Sequence, residues 1–169
     1  GLDGDADGEY LIVAENIQSV LGAQINTQIN GDTVASNYVN QTLYNNAGSI
    51  TALNISAISG VWNSAGNFRP GGLANFSNII NAVSGGKRLI QSSCGKTLVI
   101  RQGEVSCWWS NTVDNITQLS LWSDTSTTAT GSVKLYRRKS NKTIDPVPME
   151  TLVEYDIAGV DFSAGITIT

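Results

Sequence analysis

Three aspartates near the start of the chain are the first residues whose spacing suggests chemistry. Asp3, Asp5 and Asp7 alternate with other residues in GLDGDADGEY, and a glycine follows. This is the first half of a calcium-binding loop, so the three carboxylates are the candidate metal ligands. A complete loop needs an acid at its twelfth position, which falls on Ala14, while Glu15 comes one residue late. The same residues suit a tight polar turn. The sequence therefore allows both a calcium site and a turn.

Tryptophans provide the second candidate site. The run CWW, together with tryptophans elsewhere in the chain, can form a platform on which sugar rings stack, with Trp62 and Trp109 as the candidate glycan contacts. Tryptophan on a strand lies more often in the core, where its large apolar area is buried. Binding of a host cell-surface glycan is therefore an alternative function.

The composition argues against several other classes of function. The chain contains no histidine, the commonest general base and metal ligand in proteins. A catalytic pair of a nucleophile and a histidine is therefore excluded within one chain. Its net charge is −4 and charged residues make up 14%, so there is no basic surface for nucleic acid. No apolar run approaches the ~18 residues of a membrane span. We expect a protein that is not an enzyme and that binds neither nucleic acid nor membrane.

The positions of these residues depend on a fold that the sequence predicts to be all-β. Valine, isoleucine and aromatic residues alternate with asparagine, serine and threonine, which is typical of strands separated by turns. The pattern predicts a strand over Glu9–Asn16, a turn at Asn30–Asp32 and a strand over residues 114–124. The expected fold is an antiparallel β-sandwich, jelly-roll-like, with a C-terminal extension strand.

Three segments can be distinguished along the chain. Residues 1–139 form the predicted sandwich domain, and residues 140–148 form a linker that contains prolines. Residues 149–169 return to strand-like alternation and close on ITIT. An unpaired strand is an aggregation hazard, so this last segment is expected to pair with a neighbouring copy or with the next repeat of a longer chain.

The only two cysteines allow two interpretations. Cys94 and Cys107 lie thirteen residues apart in apolar surroundings. They can form a disulfide if their strands place them opposite one another, or they can be two buried thiols. Spacing alone does not decide between these states.

Two longer runs carry a resemblance to a known family. INGDTVASNYVNQTLY, followed downstream by WWSNTVDNITQLSLWSDTSTTATGSVKLYRRK, resembles a β-sandwich domain that is common in virion proteins of tailed phages. The resemblance covers about residues 1–139 and includes no catalytic residue. It implies a minor structural protein of the virion surface: a head decoration, a head fibre or a tail-fibre segment. A subunit of a non-viral extracellular filament is the alternative location.

The order of the segments departs from that family. There, a strand of the ITIT type comes immediately before GLDGD, whereas this chain carries these pieces at its opposite ends. Joining Thr169 to Gly1 restores the order. The C-terminal segment is therefore expected to supply the strand that pairs with Glu9–Asn16, by folding back, by donation to a neighbouring copy or by tandem repetition.

Donation or repetition is the favoured arrangement, because the prolines of the linker extend the chain and disfavour a tight return. The partners are then identical subunits in a homo-oligomer or polymer. The expected anchors of the donated segment are Val160, Phe162, Ile166 and Ile168. The expected receiving strand contains Leu11, Ile12 and Val13.

Overall fold

The fold is built from two antiparallel sheets. A computed structural model describes residues 1–19, 24–46, 48–55, 58–63, 72–96, 101–123, 128–139, 149–161 and 165–169. Within them lie a helical turn α1 (Gly4–Asp7), a 3-10 turn (Ala35–Asn37) and twelve strands. The strands are β1 (Glu9–Ser19), β2 (Ile25–Ile29), β3 (Tyr38–Asn46), β4 (Ser49–Ile55), β5 (Val61–Trp62), β6 (Leu73–Asn81), β7 (Arg88–Lys96), β8 (Arg101–Trp109), β9 (Leu119–Ser123), β10 (Thr128–Arg138), β11 (Glu150–Asp161) and β12 (Ile166–Ile168).

The two sheets differ in size. The large sheet has eight strands in the order β11-β10-β1-β6-β7-β8-β3-β4, and the small sheet has four in the order β12-β9-β2-β5. Every strand pair is antiparallel. The two sheets pack as a sandwich, which confirms the predicted all-β fold class.

Alternation of side chains explains how the sheets enclose a core. Along β6, Ala74, Phe76, Asn78 and Ile80 are buried, while the residues between them are exposed or half-buried. A strand points successive side chains to opposite faces, so this pattern packs one face of the large sheet against the small sheet. The largest fully buried side chains include Trp109, Arg88, Tyr10, Tyr38, Ile12, Ile17, Ile25, Ile29, Ile80 and Ile90.

The predicted local elements are found with different extents. The strand predicted over Glu9–Asn16 is confirmed as part of β1, which continues to Ser19. A turn follows β2, with Asn30 at φ 53° and Gly31 at φ 64°, but it leads into the other sheet and closes no hairpin.

The strand predicted over residues 114–124 is wrong in its extent, since within the described part, residues 114–123, the strand is Leu119–Ser123. Side chains satisfy the preceding backbone instead. Asn30 Oδ1 accepts from the N–H groups of Thr117 and Gln118, and Asn30 Nδ2 donates to the carbonyl of Asn115. Backbone groups held in this way do not need a neighbouring strand.

The C-terminal segment contributes to both sheets of its own chain. β11 pairs with β10 at one edge of the large sheet, and β12 pairs with β9 at one edge of the small sheet. β1 lies between β10 and β6. The predicted pairing of this segment with Glu9–Asn16 is therefore not what the single chain shows. The predicted linker, residues 140–148, lies outside the described residues.

Ion pairs join the adjacent strands β1, β10 and β11. Lys134 Nζ lies 3.8 Å from Glu15 and 3.1 Å from Glu154. Two arginines make similar pairs, Arg137 with Glu150 and Arg138 with Glu9. Each exposed pair contributes little free energy, but opposite charges on adjacent strands favour this register over its alternatives.

A bulge in β1 depends on one glycine of β10. The register of β1 against β10 shifts between Glu15 and Gln18, and Gly131 packs against the bulge with φ 137°. A Cβ on Gly131 would lie 2.8 Å from the carbonyl oxygen of Glu15 and 2.7 Å from Cδ1 of Ile17. Because backbone cannot move aside as a flexible side chain can, only glycine fits here.

We expect Gly131→Ala to lower the free energy of unfolding by about 1–3 kcal/mol, because the new methyl meets backbone at a strained φ. Urea denaturation measures this change. Gly86→Ala is the matched control, since nothing lies within 4 Å of a Cβ there, and it should change stability by less than about 0.5 kcal/mol. Equal losses in both variants would contradict the steric explanation.

Candidate functional site

The aspartates of the opening run hold a turn together. Asp3 caps α1, with its Oδ1 accepting from the backbone N–H of Ala6 at 3.3 Å. The same oxygen accepts from Asn115 Nδ2 at 2.8 Å, which ties the turn to the loop before β9. Aspartate is a favoured residue at this capping position because it satisfies an N–H left open by the helix end.

The other two carboxylates point to different partners. Asp5 Oδ1 accepts from the N–H of Ser84 at 2.7 Å, and this hydrogen bond lowers the pKa of Asp5 below its usual value. Asp7 is buried, where it accepts from the hydroxyl of Tyr10 at 2.7 Å and lies 3.5 Å from the guanidinium of Arg137. Burial, followed by the hydrogen bond to Asp7, strongly raises the pKa of Tyr10, so this phenol is a neutral donor.

These contacts favour the turn over the calcium loop. Asp3, Asp5 and Asp7 are each occupied by protein groups. No group of three or more histidine, cysteine, aspartate or glutamate residues in the described ranges is arranged to hold a metal ion.

The C-terminal anchors are distributed over two sheets. Ile168 is buried in the core and Ile166 is half-buried, and they lie opposite Leu119 and Leu121 of β9. Val160 belongs to β11, where it lies opposite Ala129 of β10. Phe162 lies outside the described residues.

The predicted receiving strand has no open edge. Leu11, Ile12 and Val13 each face a residue of β10 on one side and a residue of β6 on the other. An interior strand has no edge to which another strand can add. The structure therefore does not bring the predicted anchors and the receiving strand together.

The two ends of the chain nevertheless meet in space. A Cβ on Gly1 would lie 3.7 Å from the carbonyl carbon of Thr169. β12 ends at this contact and is held to β9 by three register pairs and by the hydroxyls of Thr167 and Ser120, which lie 3.2 Å apart. The segment ITIT thus lies directly before GLDGD in space, although it follows everything else in the chain.

Burial favours the core interpretation of the two tryptophans over the glycan platform. Trp62 is 5% exposed and Trp109 is 1% exposed, so neither offers a ring face to an external sugar. Trp108 is the exposed neighbour at 37%, with Lys87 Nζ 5.2 Å from the centre of its ring. Successive residues of a strand face opposite sides, so only one of the two tryptophans in CWW can be exposed. The sequence pattern predicted that one of these two tryptophans is exposed but did not determine which.

The outer face of the large sheet around Trp108 is polar and shallowly concave. Ser106 and Glu104 follow on the same side of β8, and Leu89 lies opposite Trp108. A hollow of about 550 Å³ adjoins Ser106 and is lined in addition by Gln41, Thr42, Leu43, Ala52, Leu53, Asn54 and Glu104. Amide, hydroxyl and carboxylate groups beside an exposed indole are a surface suited to polar ligands.

The two cysteines are buried and not bonded to one another. They lie on adjacent strands, but Cys94 is opposite Gly103 while Cys107 is opposite Ile90. Burial raises the pKa of the Cys107 thiol to about 12, which keeps it protonated and unreactive at neutral pH. The buried-thiol interpretation therefore agrees with the structure.

One carboxylate that the sequence did not single out organises the chain after β2. Asp32 Oδ2 accepts from Trp109 Nε1 at 2.7 Å and from Asn37 Nδ2 at 2.9 Å, and Oδ1 accepts from the N–H of Val34 at 2.9 Å. Burial alone would raise the pKa of Asp32, but these hydrogen bonds outweigh it and lower the pKa. The ionised form is therefore the one that the folded state stabilises.

No family model, curated protein or solved structure matches the chain. Among the described helices, none is long and apolar enough to cross a membrane.

We expect Asp32→Asn to lower the free energy of unfolding by about 1–3 kcal/mol at pH 7, because it weakens hydrogen bonds to a charged acceptor. A lowered folded pKa contributes stability above the unfolded value of about 3.9, and this is lost as the pH falls through the folded pKa. The gap between wild type and variant, measured by urea denaturation, should therefore be smaller at pH 2.5 than at pH 7.

Asp156→Asn is the control for this comparison, because Asp156 is exposed on β11. It should change stability by less than about 0.5 kcal/mol at both pH values. A gap for Asp32→Asn that is the same at both pH values would show that the carboxylate charge does not matter.

Proposed function

We propose that the protein is a structural subunit of a virion surface, a capsid decoration or fibre, that assembles by sharing strands between copies. The observation that supports this proposal is the position of β12. It fills one edge of the small sheet and ends against Gly1. The end of the chain therefore lies beside its own beginning, and the same segment of a second copy would fit the same place.

The small size of β12 makes exchange between copies inexpensive. It has three residues and three register pairs, and its main buried side chain is Ile168. The same segment from a neighbouring copy makes the same contacts with β9, so exchange leaves the energy of each sandwich nearly unchanged. Exchange of an identical element is a low-cost route from monomers to oligomers.

The chemistry of the surface agrees with a structural role. The chain has no histidine, and its acidic turn holds the fold together. The resemblance to tailed-phage virion domains favours a virion over a cell. A non-viral extracellular filament would use the same strand sharing, and location of the gene beside capsid or tail genes distinguishes the two.

A cysteine pair across β9 and β12 tests strand sharing. Chains carrying Ser120→Cys are co-refolded with differently tagged chains carrying Thr167→Cys and then oxidised. Because the two hydroxyls lie 3.2 Å apart, a disulfide between the chains forms when β12 of one copy sits beside β9 of another. Non-reducing electrophoresis should show the mixed dimer.

Two controls make this test specific. Ser49→Cys on β4, in the other sheet, replaces Thr167→Cys in a matched mixture and should give no mixed dimer. The double variant in a single chain reports β12 bound to its own copy. If the double variant links only within its own chain and the mixture gives no dimer, strands are not shared.

A glycan-binding module of a tail fibre is the second candidate function, and exposed Trp108 is the observation that favours it. Its indole lies on the polar outer face, next to Ser106 and opposite Leu89. An exposed aromatic ring packs against the apolar face of a sugar, while neighbouring amides and hydroxyls bind its hydroxyl groups.

We expect Trp108→Ala to weaken the affinity of the protein for cell-surface glycans on an array at least about tenfold, because the stacking surface is lost. Val113→Ala, at an exposed position outside the strands, is the control and should bind like wild type. Circular dichroism checks that both variants are folded. Absence of glycan binding by the wild type would leave the structural role as the only candidate.

A further inference from the structure

The free edge of the large sheet at β4 differs from the other edges of the sandwich. Within the described residues, β4 pairs only with β3 and has no neighbour on its other side. Its register with β3 is unbroken from Asn46 and Ser49 to Asn40 and Ile55, so no bulge interrupts it. The sequence SITALNI contains no charge and no proline. Natural edge strands usually carry at least one of these features, which prevent pairing with another chain.

The remaining edges are protected or short. β11, at the opposite edge of the large sheet, exposes the carboxylates of Glu150, Glu154 and Asp156. The edges of the small sheet are β5 with two residues and β12 with three. β4 is therefore the one long, uncharged edge among the described strands.

Apolar side chains on and beside β4 are left in solvent. Ile50 is 75% exposed and Leu53 is 42% exposed, and on the adjacent strand Leu43 is 53% exposed. Leu43 lies opposite Ala52, so Ile50 and Leu43 share the outer face of the sheet while Leu53 lies on the other face. An added strand would cover apolar surface on both faces at once.

We propose that β4 pairs with β4 of a second copy of this chain, antiparallel about a two-fold axis at Ala52. This register pairs all seven residues of the strand. It places Ile50 opposite Asn54 and Thr51 opposite Leu53, so no charge is buried and the large sheets of two copies become continuous. The interface is isologous, in which the same surface serves both partners.

The charges decide between β4 and β11 as the partner strand. Pairing of β11 with β11 would bring exposed carboxylates together, and like charges on adjacent strands are destabilising. Pairing of β4 with β11 would remove solvent from Glu150 and Glu154 without offering a cation, because β4 has none. Both acids are already paired within their own chain, with Arg137 and Lys134. Pairing of β4 with itself has neither cost.

This interface is separate from strand sharing through β12. β4 ends the large sheet, whereas β12 ends the small sheet. Loss of one contact leaves the other in place. The two inferences can therefore fail independently.

Sedimentation velocity of the full chain, from about 1 to about 100 µM, tests the β4 interface. The wild type should pass from monomer to dimer over this range, because a strand edge is smaller than a standard interface of ~1,600 Å². Ile50→Lys places a charge on the edge and should weaken the dimer at least about tenfold. Ile79→Lys is the matched control: Ile79 is 42% exposed but belongs to interior strand β6, so this variant should dimerise like wild type.

A single cysteine tests the register. Ala52→Cys should give a dimer linked by a disulfide, because the two-fold axis places position 52 opposite itself within disulfide reach. Asn54→Cys should not link, because it lies opposite position 50. A wild type that stays monomeric to about 100 µM overturns the proposal, as does an Ile50→Lys variant that dimerises like wild type. An Ile79→Lys variant that stays monomeric also overturns the proposal, because the copies would then bind through the face of the sheet and not through its edge.

Discussion

The open edges of the two sheets are the constraint on which the rest of this structure depends. A sandwich of two unclosed sheets presents rows of unpaired N–H and C=O groups, and each row must meet water, charge or another strand. The chain deals with this in different ways at each edge. The C-terminal segment supplies β11 to one sheet and β12 to the other. The acids of β11 keep its own edge hydrated, and the two residues of β5 are too few to accept a further strand. β4 has none of these protections.

Because the two sheets differ in size, part of the inner face of the large sheet is also left uncovered. Four strands cannot cover eight, so inward-facing positions near the ends of the large sheet remain partly in solvent. Leu53 on β4 is one such position. On the outer face, Trp108, Leu89, Leu43, Ile50 and Ile79 are exposed apolar side chains among polar ones. Most of the exposed large apolar side chains of the described residues thus lie on the large sheet.

Sequence patterns were informative where a property depends on neighbours along the chain. Alternation identified β1 and the turn after β2, and composition identified the fold class, because period-two patterning is local. Pairing between strands is not local. Side chains of Asn30 replaced strand pairing before β9, and β10 occupied the place beside β1 that the C-terminal segment was expected to take. The sequence also did not determine which tryptophan of CWW is buried. Alternation requires that Trp108 and Trp109 face opposite sides of the sheet, but it does not say which side is the core.

The candidate site shows the same division. A turn was one of two interpretations of the Asp/Gly run. The partners that fix it, Ser84 and Asn115, are far away in sequence and were not predictable. From the segment order, the C-terminal segment was expected to pair with Glu9–Asn16; the structure places ITIT beside Gly1 but pairs it with β9. That contact places the last strand beside the first turn, whichever copy supplies the strand. Assembly by exchange therefore requires no new surface, because it reuses the contacts that β12 already makes with β9 in a single copy.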